Sequence, residues 1–190
     1  MRTKHRFISL RKISCMAILS ILLLLCYTVI GLAEEPVYGY TMAIDHTPFI
    51  DLLDDTGKVL FHYYPDVRIE LLSVIDDDWA HVRIFNIDGY MKTTQIDFDP
   101  ELEKAPHTLP LSVIKGKTAD GNVNFRELPT IDIPPLGYIY TENEVHVLGI
   151  GEKWHHINAD GRMGFMKREY LEDTGKVSEY VIGSFQSPLR

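Results

Sequence analysis

Four histidines of this chain, His81, His146, His155 and His156, are the first side chains to weigh for chemistry. His155 and His156 are adjacent, and neighbouring side chains on a strand face opposite ways. They cannot share one ion unless further ligands arrive, and His146 on a neighbouring strand is the nearest candidate. A structural or pH-sensitive role is the stronger expectation. Asp76, Asp77 and Asp78 offer carboxylates in a row. A calcium loop spaces its oxygens and adds a glycine and a distal glutamate, so this run reads as a solvated turn. No Gly-x-Ser-x-Gly and no zinc-peptidase signature occurs, and no Ser/His/Asp set declares itself. The expectation is a protein with no catalytic residues, no metal and no cofactor.

The conspicuous side chains that remain are aromatic. Trp79 and Trp154 each open a strand-like segment and could stack on a ligand. The stronger expectation is that they are structural aromatics packed partly on their own turns, since both open a strand at the same repeat position. Tyr138 and Tyr140 are two apart and share a strand face. Such a pair suits an aromatic-lined groove for an extended peptide, and it is also ordinary strand composition. Tyr63 and Tyr64 lie at the corresponding place upstream. The candidate ligand-binding set is Tyr138, Tyr140, Trp154 and Phe165, with Tyr64, Trp79 and Tyr90 in the earlier half. Gly89 and Gly164 read as backbone requirements with no ligand role.

These residues recur because the chain repeats. "WAHVRIFNIDGYMKTTQI" (79–96) aligns without a gap on "WHHINADGRMGFMKREYL" (154–171), 75 positions later. Trp, His, Gly, Met and Lys return at the same offsets. Upstream, 59–73 aligns with 135–149 at an offset of 76, the extra residue falling in the turn before Trp79. Internal repetition sets architecture before any single motif does. Strand signals dominate both copies: 67–75 and 144–150 are β-branched and leucine-rich, and 79–85 alternates with period two. "NIDG" (86–89) and "DGR" (160–162) supply turns, the Asp-Gly suiting positive φ. "DPELEKAPHTLP" (99–110) reads as linker, and 34–48 as a lead-in. No amphipathic helical run follows residue 33.

Composition adds a compartment. "MRTKHRFISLRK" carries five Lys/Arg and no acid, and 21 uncharged residues (13–33) follow. A basic region, an apolar core and small Gly31 and Ala33 describe a secretory signal cut after Ala33. The same 21 residues suffice to span a bilayer uncut, with the basic flank inside. Lipid modification at Cys26 is a third reading, opposed by the bulky Leu25 before it. All three place residues 34–190 outside the cytoplasm. Both cysteines, Cys15 and Cys26, lie in the leader, so the remaining 157 residues hold no disulfide or thiolate site. Those residues carry 14 Lys+Arg against 27 Asp+Glu, a net of −13. That balance excludes a nucleic-acid footprint and opposes adhesion to polyanions.

The second copy resembles a bacterial SH3-like (SH3b) domain over about 120–172. The pattern falls on Val123, Asn124, Phe125, Arg126, Pro129, Gly137, Val145, Val147, Trp154, Gly164, Phe165 and Leu171. Asn143 and Glu144 stand where the family often has glycine, and His155 where an aromatic follows the tryptophan. The first copy, about 43–98, keeps Trp79, Gly89, Tyr90 and Ile96 but lacks the Asn-x-Arg opening. The resemblance implies an all-β protein: two small SH3-like, partly open β-barrels in tandem after an N-terminal signal or anchor helix. The expected boundaries are 1–33 leader, 43–98 divergent barrel, 99–119 linker, 120–172 barrel and 173–190 tail. It further implies an exported, non-catalytic module binding cell-wall peptide or glycan, or an extended peptide. The alternative is the ectodomain of a surface sensor or assembly protein. Partners are then a wall peptide or envelope protein, with no nucleic acid, and membrane contact only through residues 13–33 if uncut.

Overall fold

The structure, a computed structural model, describes residues 35–44, 48–99, 101–102, 107–116 and 121–180. The signal or anchor at 1–33 lies outside the described residues. Among these, no helix is long and apolar enough to cross a membrane. The fold is all-β with a curled, half-barrel sheet.

The lead-in and first copy hold seven described strands: β1 (Val37–Thr41), β2 (Ile50–Leu53), β3 (Val59–Tyr63), β4 (Arg68–Val74), β5 (Trp79–Ile84), β6 (Ile87–Lys92) and β7 (Ile96–Asp97). Seven more follow: β8 (His107–Ile114), β9 (Asn122–Phe125), β10 (Gly137–Tyr140), β11 (Glu144–Ile150), β12 (Trp154–Ala159), β13 (Arg162–Lys167) and β14 (Leu171–Tyr180). A 3-10 turn follows β6 at Thr93–Gln95 and another follows β13 at Arg168–Tyr170. Among the described residues twelve strands form one sheet, ten of them along the path β13-β12-β11-β3-β2-β6-β5-β4-β1-β7, with β8 and β14 off it. β8 pairs with both β11 and β14, and β9 with β10 forms a separate ribbon.

The period-two reading of β5 holds. Ala80, Val82 and Ile84 are buried while Trp79, His81 and Arg83 are half-buried. The second hairpin turns at Asp160 (φ 51°) and Gly161 (φ 83°), the two positive φ values that a two-residue Asp-Gly hairpin turn requires. The first hairpin departs from expectation. Ile84 pairs with Ile87, so the turn is Phe85-Asn86 and the "NIDG" tetrapeptide mostly enters β6. Phe85 adopts φ 56°, unusual for an aromatic. Its ring lies 5.6 Å from that of His156 and 6.3 Å from that of Phe165, and that packing sets the turn where local preference does not.

Three other segments depart as well. The lead-in contains β1, which pairs with β4 and β7 and buries Tyr40. The supposed linker contains β8, whose Leu109, Leu111 and Ile114 are buried. Pro110 is tolerated there because β11 pairs only with Leu111–Val113, beyond it. The supposed tail contains most of β14, which pairs with β8 along its length through an irregularity between Asp173 and Lys176. Gly175 (φ 68°) sits inside that irregularity. β14 is polar and mostly exposed, so its sequence carries no strand pattern.

One seam joins the two copies. Tyr63 of β3 pairs with Gly149 of β11, and His62 with Ile150. A buried cluster runs through it, with Ile50, Leu52, Phe61 and Tyr63 from the first copy and Leu148 and Phe165 from the second. A second cluster, including Val123, Phe125, Val145, Val147 and Ile157, lies within the later copy.

Gly164 is fixed by close approach. A Cβ there would stand 2.5 Å from the Arg126 carbonyl oxygen and 2.6 Å from the Phe125 ring. Gly164→Ala is expected to destabilise by roughly 1–3 kcal/mol, as overpacking does. Gly137, with nothing near its would-be Cβ, is the control. Urea denaturation of both variants checks this, and equal midpoints would contradict the packing argument.

Candidate functional site

Each tryptophan is held at its strand entrance by the same device. Before Trp154, the turn closes by a hydrogen bond from Gly151 N–H to the Trp154 carbonyl at 2.9 Å. Gly151 is required, because a Cβ would meet that carbonyl and Phe61 at 2.7 Å. The backbone of Arg168, opening the 3-10 turn after β13, donates to the Lys153 carbonyl at 3.0 Å. Across the hairpin Trp154 pairs with Lys167. In the first copy Thr93 N–H donates to the Asp78 carbonyl at 2.9 Å, and Trp79 pairs with Lys92. The Asp76 carboxylate accepts from the N–H groups of Asp78 (2.9 Å) and Trp79 (2.8 Å). The triple aspartate is thus a self-bonded turn, as its spacing suggested.

A cleft opens at each of these places. That at Trp154 measures about 810 Å³. Its lining carries both signs: Lys153, Lys167 and Arg168 with Glu152, Glu169 and Asp173. The smaller one, about 300 Å³, is lined by Trp79, Phe49, Asp51 and Lys92 among others. Both are therefore locally balanced in charge, on a protein that is otherwise acidic. One face of Trp154 looks toward the buried Arg126 guanidinium, 6.0 Å from the ring centroid. Arg126 is itself anchored by donating to the Ile133 carbonyl at 2.6 Å. Trp154 is thus both packed and cleft-lining.

The structure divides the sequence candidates. Trp154 and Trp79 line clefts. Tyr64 is half-buried, its ring edge-on to Phe49 at 5.0 Å. Burial and then the negative charge of Asp173 push its hydroxyl pKa up. Tyr138 and Tyr140 are exposed on the β9–β10 ribbon and are not brought to Trp154. Phe165 is fully buried, stacked on His156 at 4.6 Å, and is core. Tyr90 stacks on His81 at 5.0 Å and does not line the Trp79 cleft. Sequence reasoning missed the charged residues and Phe49. The lysine half was visible, since Lys92 and Lys167 recur at the repeat offset.

The histidines separate too. His155 lines the Trp154 cleft, and among the described residues its buried Nδ1 has no hydrogen-bond partner. His146 is not beside it: His146 pairs with Asn158 and its Nε2 lies 2.6 Å from Ser178 Oγ. His156 is wholly buried, Nδ1 3.2 Å from the Tyr63 hydroxyl. Among the described residues no three His, Cys, Asp or Glu side chains gather as a metal group.

Fold and clefts together define an all-β module with a repeated surface cleft. Among solved structures, the chain is similar to NlpC2 from Trichomonas vaginalis, with 17% identity, TM-score 0.34, and 73% of this chain covering 48% of that one. NlpC1 from the same organism gives 16% identity and TM-score 0.35, with coverages of 75% and 47%. The chain spans about half the length of these proteins. No family model matches the chain, and neither does any curated protein.

Burial pushes the His156 pKa down to about 3, against about 6.5 in an unfolded chain. Between those values the unfolded chain binds a proton that the folded one refuses. Stability is therefore held above pH 6.5 and lost as pH falls toward 3. From pH 7 to pH 5 this residue alone should remove about 2 kcal/mol. Burial lowers His146 and His155 in the same direction. Urea denaturation at both pH values checks this, with the His156→Phe variant showing a smaller loss. Equal losses would contradict it.

Proposed function

We propose that the chain is an exported, non-catalytic binding module of the cell envelope, built from two SH3-like units, and that its ligand is a wall peptide. The observation that carries this reading is the Trp154 cleft, where an aromatic side chain stands among three cations and three carboxylates. An indole face attracts apolar groups and cations. Lys and Arg receive carboxylates, and acidic side chains receive amines. A short peptide bearing free amino and carboxylate groups meets every one of these features. A polyanion would meet the lysines but also the carboxylates and the net charge of −13 on residues 34–190.

One observation favours the second reading, an ectodomain that docks an envelope protein. Ile131, Leu136, Tyr138 and Tyr140 are exposed on and beside the β9–β10 ribbon, away from the clefts.

The test mixes the purified chain with insoluble peptidoglycan, with and without millimolar calcium, and measures the sedimenting fraction. Sedimentation is expected without calcium. It should fall by roughly tenfold or more in Trp154→Ala, as truncation of an aromatic anchor does, and persist in Tyr138→Ala. Loss on Tyr138→Ala alone, or no sedimentation in either condition, would favour the protein-docking reading.

A further inference from the structure

The larger cleft has a buried side built within the later copy. Directly opposed residues of antiparallel strands share a face. His155 opposes Ile150, Val145 opposes Ser112, and Ser112 opposes Asp173. Ile150 and Leu171 pack on the buried cluster of that copy. His155, Ile150, Ser112, Leu171 and Asp173 all line the cleft. The imidazole of His155 is 9% exposed, so the cleft holds a ring that is almost wholly taken from water.

The two ring nitrogens of His155 differ. Nδ1 is buried and makes no hydrogen bond among the described residues, whereas Nε2 is not among the buried, unpartnered atoms and so meets the cleft. Burial pushes the His155 pKa down, the Trp154 carbonyl draws it up, and the positive charge of Arg168 pushes it down again. A carbonyl beside Nδ1 favours the proton there, although the geometry falls short of a hydrogen bond. The neutral ring then turns a bare Nε2 lone pair to the cleft.

The charges around the ring are unequally engaged. Lys167 Nζ lies 3.6 Å from Glu169 Oε1, and the Asp173 carboxylate accepts from the Gly175 N–H at 2.9 Å. Among the described residues the side chains of Lys153, Arg168 and Glu152 make no hydrogen bond or ion pair. Open donors therefore exceed open acceptors. Arg168 is held in place because its N–H donates to the Lys153 carbonyl at 3.0 Å. Its fork is the group suited to a carboxylate. β11 and β8 add only Ile150 and Ser112, so no further charge faces the imidazole from them.

We propose that Arg168 and His155 form a carboxylate subsite in this cleft, which binds a free carboxylate of the peptide and takes up one proton from solvent as it does so. This rests on the peptide-binding reading above and adds which group of the peptide enters, and how pH regulates it. A carboxylate can meet Nε2 only if that nitrogen carries a proton. With Nδ1 already protonated, the bound ring is an imidazolium, and the entering negative charge offsets both it and Arg168. Binding therefore tightens as pH falls.

The test is calorimetric titration of the purified chain with a soluble wall tetrapeptide in two forms. One has its amines acetylated, which removes their own titration. The other is also amidated at every carboxylate. The acid form is expected to bind roughly tenfold or more tighter than the amidated form. Its affinity should rise roughly threefold to tenfold from pH 7.5 to pH 6, with proton uptake seen by comparing buffers of different ionisation enthalpy. His155→Asn should abolish the pH dependence, and Arg168→Gln should reduce the acid form to the affinity of the amidated one. Arg168 is exposed, so its variant keeps the test open if His155→Asn fails to fold. Equal binding of the two forms, or pH-independent binding of the acid form, would overturn the subsite and leave the peptide reading intact. Displacement of the acid form by an equal concentration of inorganic phosphate would overturn the carboxylate assignment. Failure of both forms to bind at millimolar concentration would remove the peptide reading and the subsite together.

Discussion

The pairing of β3 with β11 is the constraint on which the rest depends. It lets the two copies of the repeat share one sheet and one buried cluster. Its centre is Tyr63 laid over Gly149, where a Cβ would come within 2.7 Å of the tyrosine ring. Only a glycine admits the ring so close to the backbone. The Tyr63 hydroxyl then reaches His156 Nδ1, and the imidazole stacks on Phe165. Burial without a charged partner holds that imidazole neutral and pushes the phenol pKa up. A neutral, hydrogen-bonded pair is the form in which such groups are tolerated inside a protein.

That seam also determines what lies on the surface. With β3 beside β11, the strand order sets Ile150 next to His62 and His62 next to Asp51. The two tryptophan clefts, 75 residues apart in the chain, thereby come onto the same sheet. Each cleft is built locally, from a tight turn before the tryptophan and a 3-10 turn hydrogen-bonded back to it. Their adjacency is a property of the seam alone. The same duplicated hairpin on two separated domains would give two unrelated surface dents.

The two copies have diverged at the level of side chains while keeping the backbone device. Both turns close by a backbone hydrogen bond onto the tryptophan carbonyl, from Ile75 in one and Gly151 in the other, and the longer turn before Trp79 adds the Asp76 carboxylate. Its cleft is smaller and has Phe49 in its wall. Position 80 is a buried alanine, whereas the equivalent His155 reaches the larger cleft. Neutral charge balance survives in both, which is hard to attribute to solubility, since a soluble acidic surface needs no matched lysines.

The sequence by itself determined the all-β character, the repeat, and the strands β5, β11, β12 and β13, because period-two burial and Asp-Gly turns are local signals. It also determined that Trp79 and Trp154 hold equivalent places, and that glycines 89 and 164 serve the backbone. Only the tertiary structure decided the rest. β8 and β14 became strands because each supplies the other's hydrogen bonds, although proline and polar residues hide the pattern. Phe165 and Tyr90 left the candidate site because their rings found partners in the core and on His81. Tyr138 and Tyr140 left it because their ribbon is separate from the main sheet. The charged residues of the clefts and Phe49 were invisible in one dimension. Long-range strand pairing brings together residues that no local pattern connects, and that pairing is decided by what the whole chain can bury.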